Sequence, residues 1–146
     1  MRGEVPDFEY RLPIGKAEVK LAGDDVSVIT YGLMLHHCLE AATELKQEGI
    51  DVEVLDLRTL RPLDEGAILD SVQKTGKAII VHEDNKVGGV GGEVAAIISE
   101  HAFDYLDAPI ARLGAPDAPM PYNDELERQA IPSQEKIIET IRKLLR

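Results

Sequence analysis

Residues 26–57, VSVITYGLMLHHCLEAATELKQEGIDVEVLDL, decide the fold because they hold a strand, a helix and a second strand. Val26–Tyr31 is rich in β-branched residues, which is typical of a buried strand. Apolar residues recur at helical spacing over Met34–Glu48, and Gly49 is a typical residue for a helix end. Val52–Leu57 repeats the pattern of a buried strand. Two such strands joined by a helix predict a parallel pair with a right-handed crossover.

The same alternation of strand and helix continues to the end of the chain. The apolar–polar alternation of Ala17–Leu21 predicts a half-exposed strand that forms a hairpin with the next strand and adds an antiparallel edge. The remaining predicted elements are a helix capped by Asp64 and ending near Thr75, a strand over 78–82, a helix over 93–105, a strand over 110–113, a surface segment over 116–132 and a last helix capped by Ser133. The sequence therefore predicts a three-layer α/β/α fold with a mainly parallel, mixed five-stranded sheet. Residues 1–16 are predicted to be an arm and residues 17–146 the domain.

Composition limits the classes of partner and the compartment. The 146 residues contain 16 Lys and Arg against 27 Asp and Glu, for a formal net charge of −11. This charge argues against nucleic acid and anionic membranes as partners and suits a basic protein partner or simple solubility. The single cysteine, Cys38, excludes an intramolecular disulfide, and no stretch has the pattern of a signal peptide or a membrane span. We expect a soluble cytoplasmic domain.

Candidate chemistry is sparse at the carboxyl ends of the predicted strands, where open α/β sheets bind ligands. The loop of Gly88, Gly89, Val90, Gly91 and Gly92 matches neither G-x-G-x-x-G nor a P-loop, so a structural turn is favoured and a ligand contact stays open. His82 and Glu83 are residue types used in acid–base catalysis, but neighbours on a strand point to opposite faces. We therefore interpret them as interface or core residues.

The remaining histidines, the cysteine and the serines do not form a catalytic or metal-binding pattern. Consecutive residues on a helix lie about 100° apart, so His36, His37 and Cys38 cannot chelate one ion. Cys38 falls on an apolar face and is predicted to be inert, and His101 is predicted to be a core or interface residue. No serine lies in G-x-S-x-G, and the acidic pair of a phospho-acceptor domain is not in its place. The residues thus predict no catalytic, cofactor-binding or metal site of the domain's own.

Several segments together resemble a known family. The first group consists of Thr30–Met34, Leu39–Ala42 and Asp56–Asp64, and it is similar to the C-terminal domain of transketolase-like thiamine diphosphate enzymes. A second group narrows the resemblance to the beta subunit of the decarboxylating component of pyruvate, branched-chain 2-oxo acid or acetoin dehydrogenase complexes. This second group consists of Val81–Glu83, Gly88–Glu93, Ala115–Tyr122 and the arm segments Glu4–Pro6 and Leu12–Ala17. The resemblance covers essentially the whole chain.

The resemblance implies a role in assembly and docking rather than in chemistry. In such subunits a pyrimidine-binding domain contacts thiamine diphosphate and precedes this domain, so the resemblance implies that the chain alone binds neither thiamine diphosphate nor magnesium and is inactive. It also implies contacts with an alpha subunit, with a second beta subunit in a homodimer-type contact, and with the subunit-binding domain of the acyltransferase core. Asp107, in Leu106-Asp107-Ala108-Pro109, and the last residue, Arg146, are the docking candidates. The candidate interface residues are His82, Glu83, Gly88, Gly89, Gly91 and Gly92.

Two other functions remain open from the sequence. One is a stand-alone ligand-binding or regulatory α/β module. The other is the equivalent domain of a different transketolase-like enzyme, such as a deoxyxylulose-phosphate synthase. A pyrimidine-binding domain directly upstream would favour the beta-subunit interpretation.

Overall fold

A computed structural model describes residues 7–146. Its elements, in chain order, are β1 (Glu18–Leu21), β2 (Val26–Thr30), α1 (Leu33–Lys46), β3 (Val52–Asp56), α2 (Glu65–Thr75), β4 (Ala78–Asn85), α3 (Val90–His101), a single 3₁₀ turn (Phe103–Tyr105), β5 (Ala111–Ala115), α4 (Asp124–Ala130) and α5 (Gln134–Leu144). The order of strands and helices matches the sequence prediction, apart from α4 and the short turn.

The five strands form one mixed sheet in the order β1-β3-β2-β4-β5. Strands β3, β2, β4 and β5 are parallel to one another, and β1 pairs antiparallel with β3. One buried cluster lies between the sheet and α1 and α5, and a second lies between the sheet and α2 and α3. The predicted three-layer α/β/α fold with a mainly parallel sheet and one antiparallel edge strand is confirmed.

The predicted hairpin between β1 and β2 is wrong. Strand β1 lies beside β3, with Glu18 opposite Asp56, and β2 separates β3 from β4. Both edges of β2 are taken by parallel neighbours, because Val28 pairs with Val54 on one side and with Ile79 on the other. A hairpin would have occupied the edge of β2 that β3 uses. The chain therefore carries β1 past β2 to the outer edge of the sheet.

Three element boundaries differ from the prediction for local reasons. Helix α3 begins at Val90 rather than Glu93, so Gly91 and Gly92 belong to its first turn and only part of the glycine segment is a loop. Strand β4 continues to Asn85, because its end pairs with Ala115 of β5 after a shift in register. Helix α4 lies inside the predicted surface segment.

Side-chain caps explain where three helices begin. Asn123 accepts hydrogen bonds from the amides of Glu125 and Leu126 at the start of α4, a cap that the prolines around it obscured. The predicted caps of the other two helices are confirmed, since the Asp64 side chain accepts from the Ala67 amide and the Ser133 hydroxyl accepts from Lys136.

The predicted arm is partly described. Residues 1–6 lie outside the described residues, and residues 7–16 contain no helix or strand. The end of this segment is held to the domain, because the Gly15 amide donates to Thr59 Oγ1 at 3.0 Å and the Ala17 amide donates to Asp64 Oδ2 at 3.1 Å. Asp64 thus caps α2 and also anchors the start of the domain. The boundary at residue 16 stays a prediction.

A buried polar network joins the sheet to α2. Glu53 of β3 is almost fully buried, accepts a hydrogen bond from Ser71 Oγ at 2.7 Å and forms an ion pair with Lys74. Ser71 Oγ also lies 2.7 Å from Ser27 Oγ of β2. The charge of Glu53 is thereby compensated inside the fold, as burial of a carboxylate requires.

Gly23 is expected to be intolerant of a side chain. A Cβ at this buried glycine would lie 2.3 Å from the carbonyl carbon of Val52, which is main chain and cannot rotate away. We expect Gly23→Ala to lower the free energy of unfolding by about 2 kcal/mol or more. Gly66→Ala is the control, because a Cβ there would meet only Asp64 Oδ1, at 3.8 Å, and should stabilise α2 by up to about 1 kcal/mol. Urea unfolding of both variants tests this, and equal free energies would contradict the role of the close approach.

Candidate functional site

The order of strands reverses at β2, and this reversal creates a crevice at the carboxyl ends of β2 and β4. The chain runs from β2 to β3 on one side and then to β4 on the other, and such a switch point is where open α/β sheets bind ligands. Here His82 of β4 occupies this position. Its side chain is fully buried, and its ring lies parallel to that of Tyr31, with centroids 6.4 Å apart. The switch point is closed by the domain's own side chains.

Three glycines enclose the His82 ring. A Cβ on Gly91 would lie 2.3 Å from His82 Nε2, and one on Gly89 or Gly114 would lie 3.0 Å from Cε1. Only residues without a side chain allow α3 and β5 to approach the ring this closely. The structural role predicted for the glycine segment therefore has a physical cause, namely close packing against a buried histidine.

His82 and Glu83 do not converge on one site. The His82 ring lies against the first turn of α3, whereas Glu83 Oε1 would lie 3.5 Å from a Cβ on Gly32, the residue before α1. The two helices cover opposite faces of the sheet, so the alternation expected of a strand is observed. Of the candidate interface residues, His82, Gly89 and Gly91 are buried within this domain, and the accessible ones are Glu83, Gly88 and Gly92. Their interface role stays a prediction.

The electrostatics of the switch point favour uncharged side chains. Burial lowers the pKa of His82. The positive charge of Arg112 lowers this pKa further, whereas nearby Asp84 raises it. Burial also raises the pKa of Tyr31, helped by the carboxylates of Asp84 and Glu83. Neither ring nitrogen of His82 has a hydrogen-bond partner among residues 7–146. The His82 ring is therefore held mainly by packing against its neighbours.

The described residues do not fit a diphosphate or a metal ion. Near the start of α3 the Asp84 carboxylate lies close to the main chain, since its Oδ2 would lie 3.3 Å from a Cβ on Gly89, and its negative charge disfavours a bound anion there. Glu93 adds a second negative charge in the first turn. Within residues 7–146, no three His, Cys, Asp or Glu side chains are grouped so as to hold a metal. We therefore derive no step through a bound cofactor.

The burial of Cys38 and of His101 can be compared with two further sequence predictions. Cys38 is buried, so the prediction of a core residue is confirmed, and burial raises the pKa of its thiol to about 12. His101 is 55 % exposed, so the prediction of a core residue is wrong and only the interface alternative remains. The cause is the end of α3, since Ala102 takes the buried position that the helical spacing had given to the histidine.

Asp107 and Arg146 line the same groove. This first groove runs between the segment 107–111 and the end of α5 and has a volume of about 720 Å³. Its lining consists of Lys77, Asp107, Ala108, Pro109, Ile110, Ala111, Thr140, Lys143, Leu144, Leu145 and Arg146. The two docking candidates, far apart in sequence, are therefore brought together. Lys77 and Lys143 are the lining residues that the sequence interpretation missed, because nothing in their local pattern distinguishes them from other surface lysines.

A second groove lies on the other side of the segment 107–110. It has a volume of about 560 Å³ and is bounded by Ala95 and Ser99 of α3 and by the exposed ring of Phe103. Asp107 thus sits on a ridge between two largely apolar grooves. Adjacent apolar surface with a few polar groups is typical of a protein–protein contact.

The main chain of Asp107 is fixed while its carboxylate remains accessible. Its amide donates to the Gly76 carbonyl at 2.8 Å, which ties the ridge to the end of α2. Its side chain is 70 % exposed, and Oδ2 lies 3.8 Å from Lys77 Nζ. A rigidly placed, exposed carboxylate can form a charge-assisted hydrogen bond with a cation from outside.

The fold and its surfaces define an open α/β domain whose crevice at the switch point is filled by His82 and whose two docking candidates, Asp107 and Arg146, line one surface groove. The family model named "Transketolase, C-terminal domain" matches residues 15–137. The chain belongs to the transketolase C-terminal domain family.

Two curated relatives with high identity are beta subunits of dehydrogenases. The chain is 51 % identical over 145 residues to 2-oxoisovalerate dehydrogenase subunit beta of Bacillus subtilis, covering 99 % of this chain and 44 % of that protein. It is 46 % identical to the pyruvate dehydrogenase E1 component subunit beta of the same organism, with the same two coverages. The similarity to such beta subunits that the sequence motifs predicted is confirmed. The chain spans less than half the length of these relatives.

A solved structure supports the fold. The chain superposes on a protein described as "Split gene transketolase, inactive beta4 tetramer" with a TM-score of 0.82 and 28 % identity. The match covers 98 % of this chain and 45 % of that one. No helix of the described residues is both long and apolar enough to cross a membrane.

His82 should make the domain sensitive to mild acid. Because burial lowers its pKa, the unfolded chain binds a proton at a higher pH than the folded one. The contribution of His82 to stability is fully present above pH 6.5, the ordinary pKa of histidine. It is lost as the pH falls below that value. The slope from one such group is at most about 1.4 kcal/mol per pH unit.

Urea unfolding of the wild type, His82→Gln and His101→Gln between pH 7.5 and 5 tests this expectation. The free energy of unfolding should depend less on pH in His82→Gln than in the wild type. His101→Gln is the control, because it removes a histidine from an exposed position. The same pH dependence in all three proteins would show that His82 titrates freely.

Proposed function

We propose that this chain is the C-terminal assembly and docking domain of a beta subunit in the decarboxylating component of a 2-oxo acid dehydrogenase complex. The observation that carries the proposal is the exposed Asp107, whose main chain is fixed on a ridge between two apolar grooves. The names of three relatives support the same role, since each is a beta subunit: one of 2-oxoisovalerate dehydrogenase, one of the pyruvate dehydrogenase E1 component and one of an acetoin oxidoreductase. The crevice at the switch point is filled by His82, and this agrees with a domain that supports the reaction without catalysing it.

The proposal includes the partners of the complete enzyme. Together with an alpha subunit and a second beta subunit, the full protein would catalyse oxidative decarboxylation of a 2-oxo acid and transfer the acyl group to lipoyl groups. The two-groove surface would receive the subunit-binding domain of the acyltransferase core. A cytoplasmic location is part of the same proposal.

Asp107→Asn should weaken docking to the cognate subunit-binding domain. The change removes the charge while keeping the shape, so a charge-assisted hydrogen bond to a cationic side chain of the partner is lost. We expect a cost of about 2 kcal/mol, which is about thirtyfold, mainly as faster dissociation. Surface plasmon resonance measures the dissociation rate directly.

Asp70→Asn is the matched control for that experiment. Asp70 is exposed on α2 and carries the same charge, but it does not line either groove. We expect only a small loss of affinity, limited to low ionic strength, because distant surface charges are screened by salt. Equal dissociation rates for the wild type and Asp107→Asn would remove Asp107 from the interface.

The chain alone is proposed to bind neither thiamine diphosphate nor magnesium. The support is the pair of carboxylates, Asp84 and Glu93, at the helix start where a diphosphate would lie. Titration calorimetry with thiamine diphosphate and magnesium should give no heat of binding. A micromolar dissociation constant for the chain by itself would contradict this part of the proposal.

A homodimer contact between two copies is also proposed, at the start of α3. The accessible residues there include Gly88 and Gly92, and Val87 is an exposed apolar neighbour. The solved relative described as a beta4 tetramer supports self-association in this family. Val87→Asp should lower the fraction of dimer in sedimentation equilibrium at high concentration, while Leu126→Asp, exposed on α4, should leave it unchanged. A wild-type chain that stays monomeric throughout the concentration series would oppose the contact.

A further inference from the structure

The segment that follows β5 presents an apolar surface at the carboxyl edge of the sheet. Met120, Tyr122 and Leu126 are all exposed there, and Tyr122 is fully exposed. A third groove, of about 320 Å³, lies between the chain at 115–121 and helix α4, and both Met120 and Leu126 line it. This groove lies beyond the end of β5, whereas the segment 107–111 leads into the start of that strand. It is therefore separate from the two grooves at Asp107.

Helix α4 has no side chain that is buried in the domain. It consists of seven residues, and a helix this short depends on packing of an apolar face for its stability. Asn123 caps its start, yet Leu126, the one large apolar residue of the helix, is 53 % exposed. The domain thus supplies only part of the packing that α4 can use, and a side chain in the third groove would supply more.

Carboxylates flank this apolar surface. The stretch 116–130 contains Asp117, Asp124, Glu125 and Glu127, and its one basic residue is Arg128. Arg128 is paired with Glu125 at 3.0 Å, while the other three carboxylates form no ion pair within residues 7–146. The amides at the start of α4 stabilise nearby negative charge but add no counter-ion. The surface therefore keeps an excess of negative charge.

This charge limits what can cover the third groove. A second copy of the chain in a two-fold contact would bring the same carboxylates face to face, which is unfavourable. An anionic membrane or a nucleic acid would be repelled for the same reason. The complementary occupant is a basic segment that also carries an apolar side chain.

We infer that the third groove binds a protein segment in which basic side chains flank an apolar one. The apolar side chain would lie against Met120 and Leu126, and the basic side chains would meet the unpaired carboxylates of Asp117 and Glu127. The exposed ring of Tyr122 offers its face to the same cations. A volume of about 320 Å³ is at the lower limit of pockets for small ligands, about 300–1,000 Å³, and suits single side chains. The inference adds a docking surface that does not involve Asp107.

The test uses the 146-residue chain and three short blocked peptides of one sequence plan. The peptides are acetyl-Arg-Leu-Arg-amide, its glutamine counterpart and its glutamate counterpart, titrated at low ionic strength and followed by amide chemical shifts. The arginine peptide should shift the amides that surround the third groove, which are those of Ala118, Met120, Tyr122, Leu126 and Gln129. It should bind about fivefold more tightly than the glutamine peptide, from two partly exposed ion pairs. Salt at about 0.5 M should remove most of this preference.

Matched charge variants assign the preference for arginine to this surface. The double variant Asp117→Asn with Glu127→Gln should reduce it to less than about twofold. The control is Glu40→Gln with Asp70→Asn, which removes the same charge from exposed positions on α1 and α2 that do not line the groove. The control should lower the preference only slightly, because distant charges interact weakly through water.

A variant of the apolar part tests the other half of the inference. Leu126→Ala should weaken the arginine and glutamine peptides alike, by about threefold, because it removes apolar contact without changing charge. Alanine favours a helix, so α4 is retained. Val87→Ala is the control, since Val87 is an exposed apolar residue that does not line the third groove.

The outcomes separate this inference from the docking proposal. The titrations are repeated in Asp107→Asn, where the fivefold preference for arginine should persist, because Asp107 lies at the other end of β5. Failure of docking would appear instead as an unchanged dissociation rate of the subunit-binding domain from Asp107→Asn. The present inference is overturned if the glutamine or glutamate peptide binds as tightly as the arginine peptide, if the shifts lie outside the third groove, or if the preference is lost in Asp107→Asn.

Discussion

Strand β2 is the constraint on which the rest of the structure depends. Each of its five residues is buried, and both of its edges are paired in parallel, with β3 on one side and β4 on the other. Parallel pairing on two sides requires crossover helices on both faces of the sheet. Helix α1 therefore covers one face and α2 the other. Because no edge of β2 is free, β1 is displaced to the outside of β3, and the order of strands reverses at β2.

That reversal creates the crevice which other open α/β proteins use for ligands, and this domain fills it. The ring of His82 occupies the crevice between Tyr31 and three glycines. A buried imidazole without hydrogen bonds costs about 1–3 kcal/mol, which dense packing of α3 and β5 around it must offset. The same arrangement leaves both ring nitrogens without hydrogen-bond partners among residues 7–146, and it is the physical basis of the expected sensitivity to mild acid.

The accessible surface carries the charged side chains that a partner would contact, and its charge is not uniform. The chain as a whole is strongly acidic, which acts over distance on association with basic partners and is screened by salt. The first groove brings basic side chains, Lys77 among them, close to the carboxylate of Asp107. Net charge therefore describes how a partner approaches, while the groove determines which side chains that partner must present once it is in contact.

The sequence by itself determined the type and order of nearly all elements, because hydrophobic period and caps are local properties. Asp64 and Ser133 were identified as caps, and Cys38 as a core residue, from their spacing alone. Its motifs also indicated the family. The tertiary structure decided the place of β1, since pairing depends on which edge of β2 is already occupied. It decided the exposure of His101, since helix α3 ends at this residue and not at residue 105 as predicted. It alone brought Lys77, Asp107 and Arg146 to one groove, because contacts between residues distant in sequence leave no local pattern.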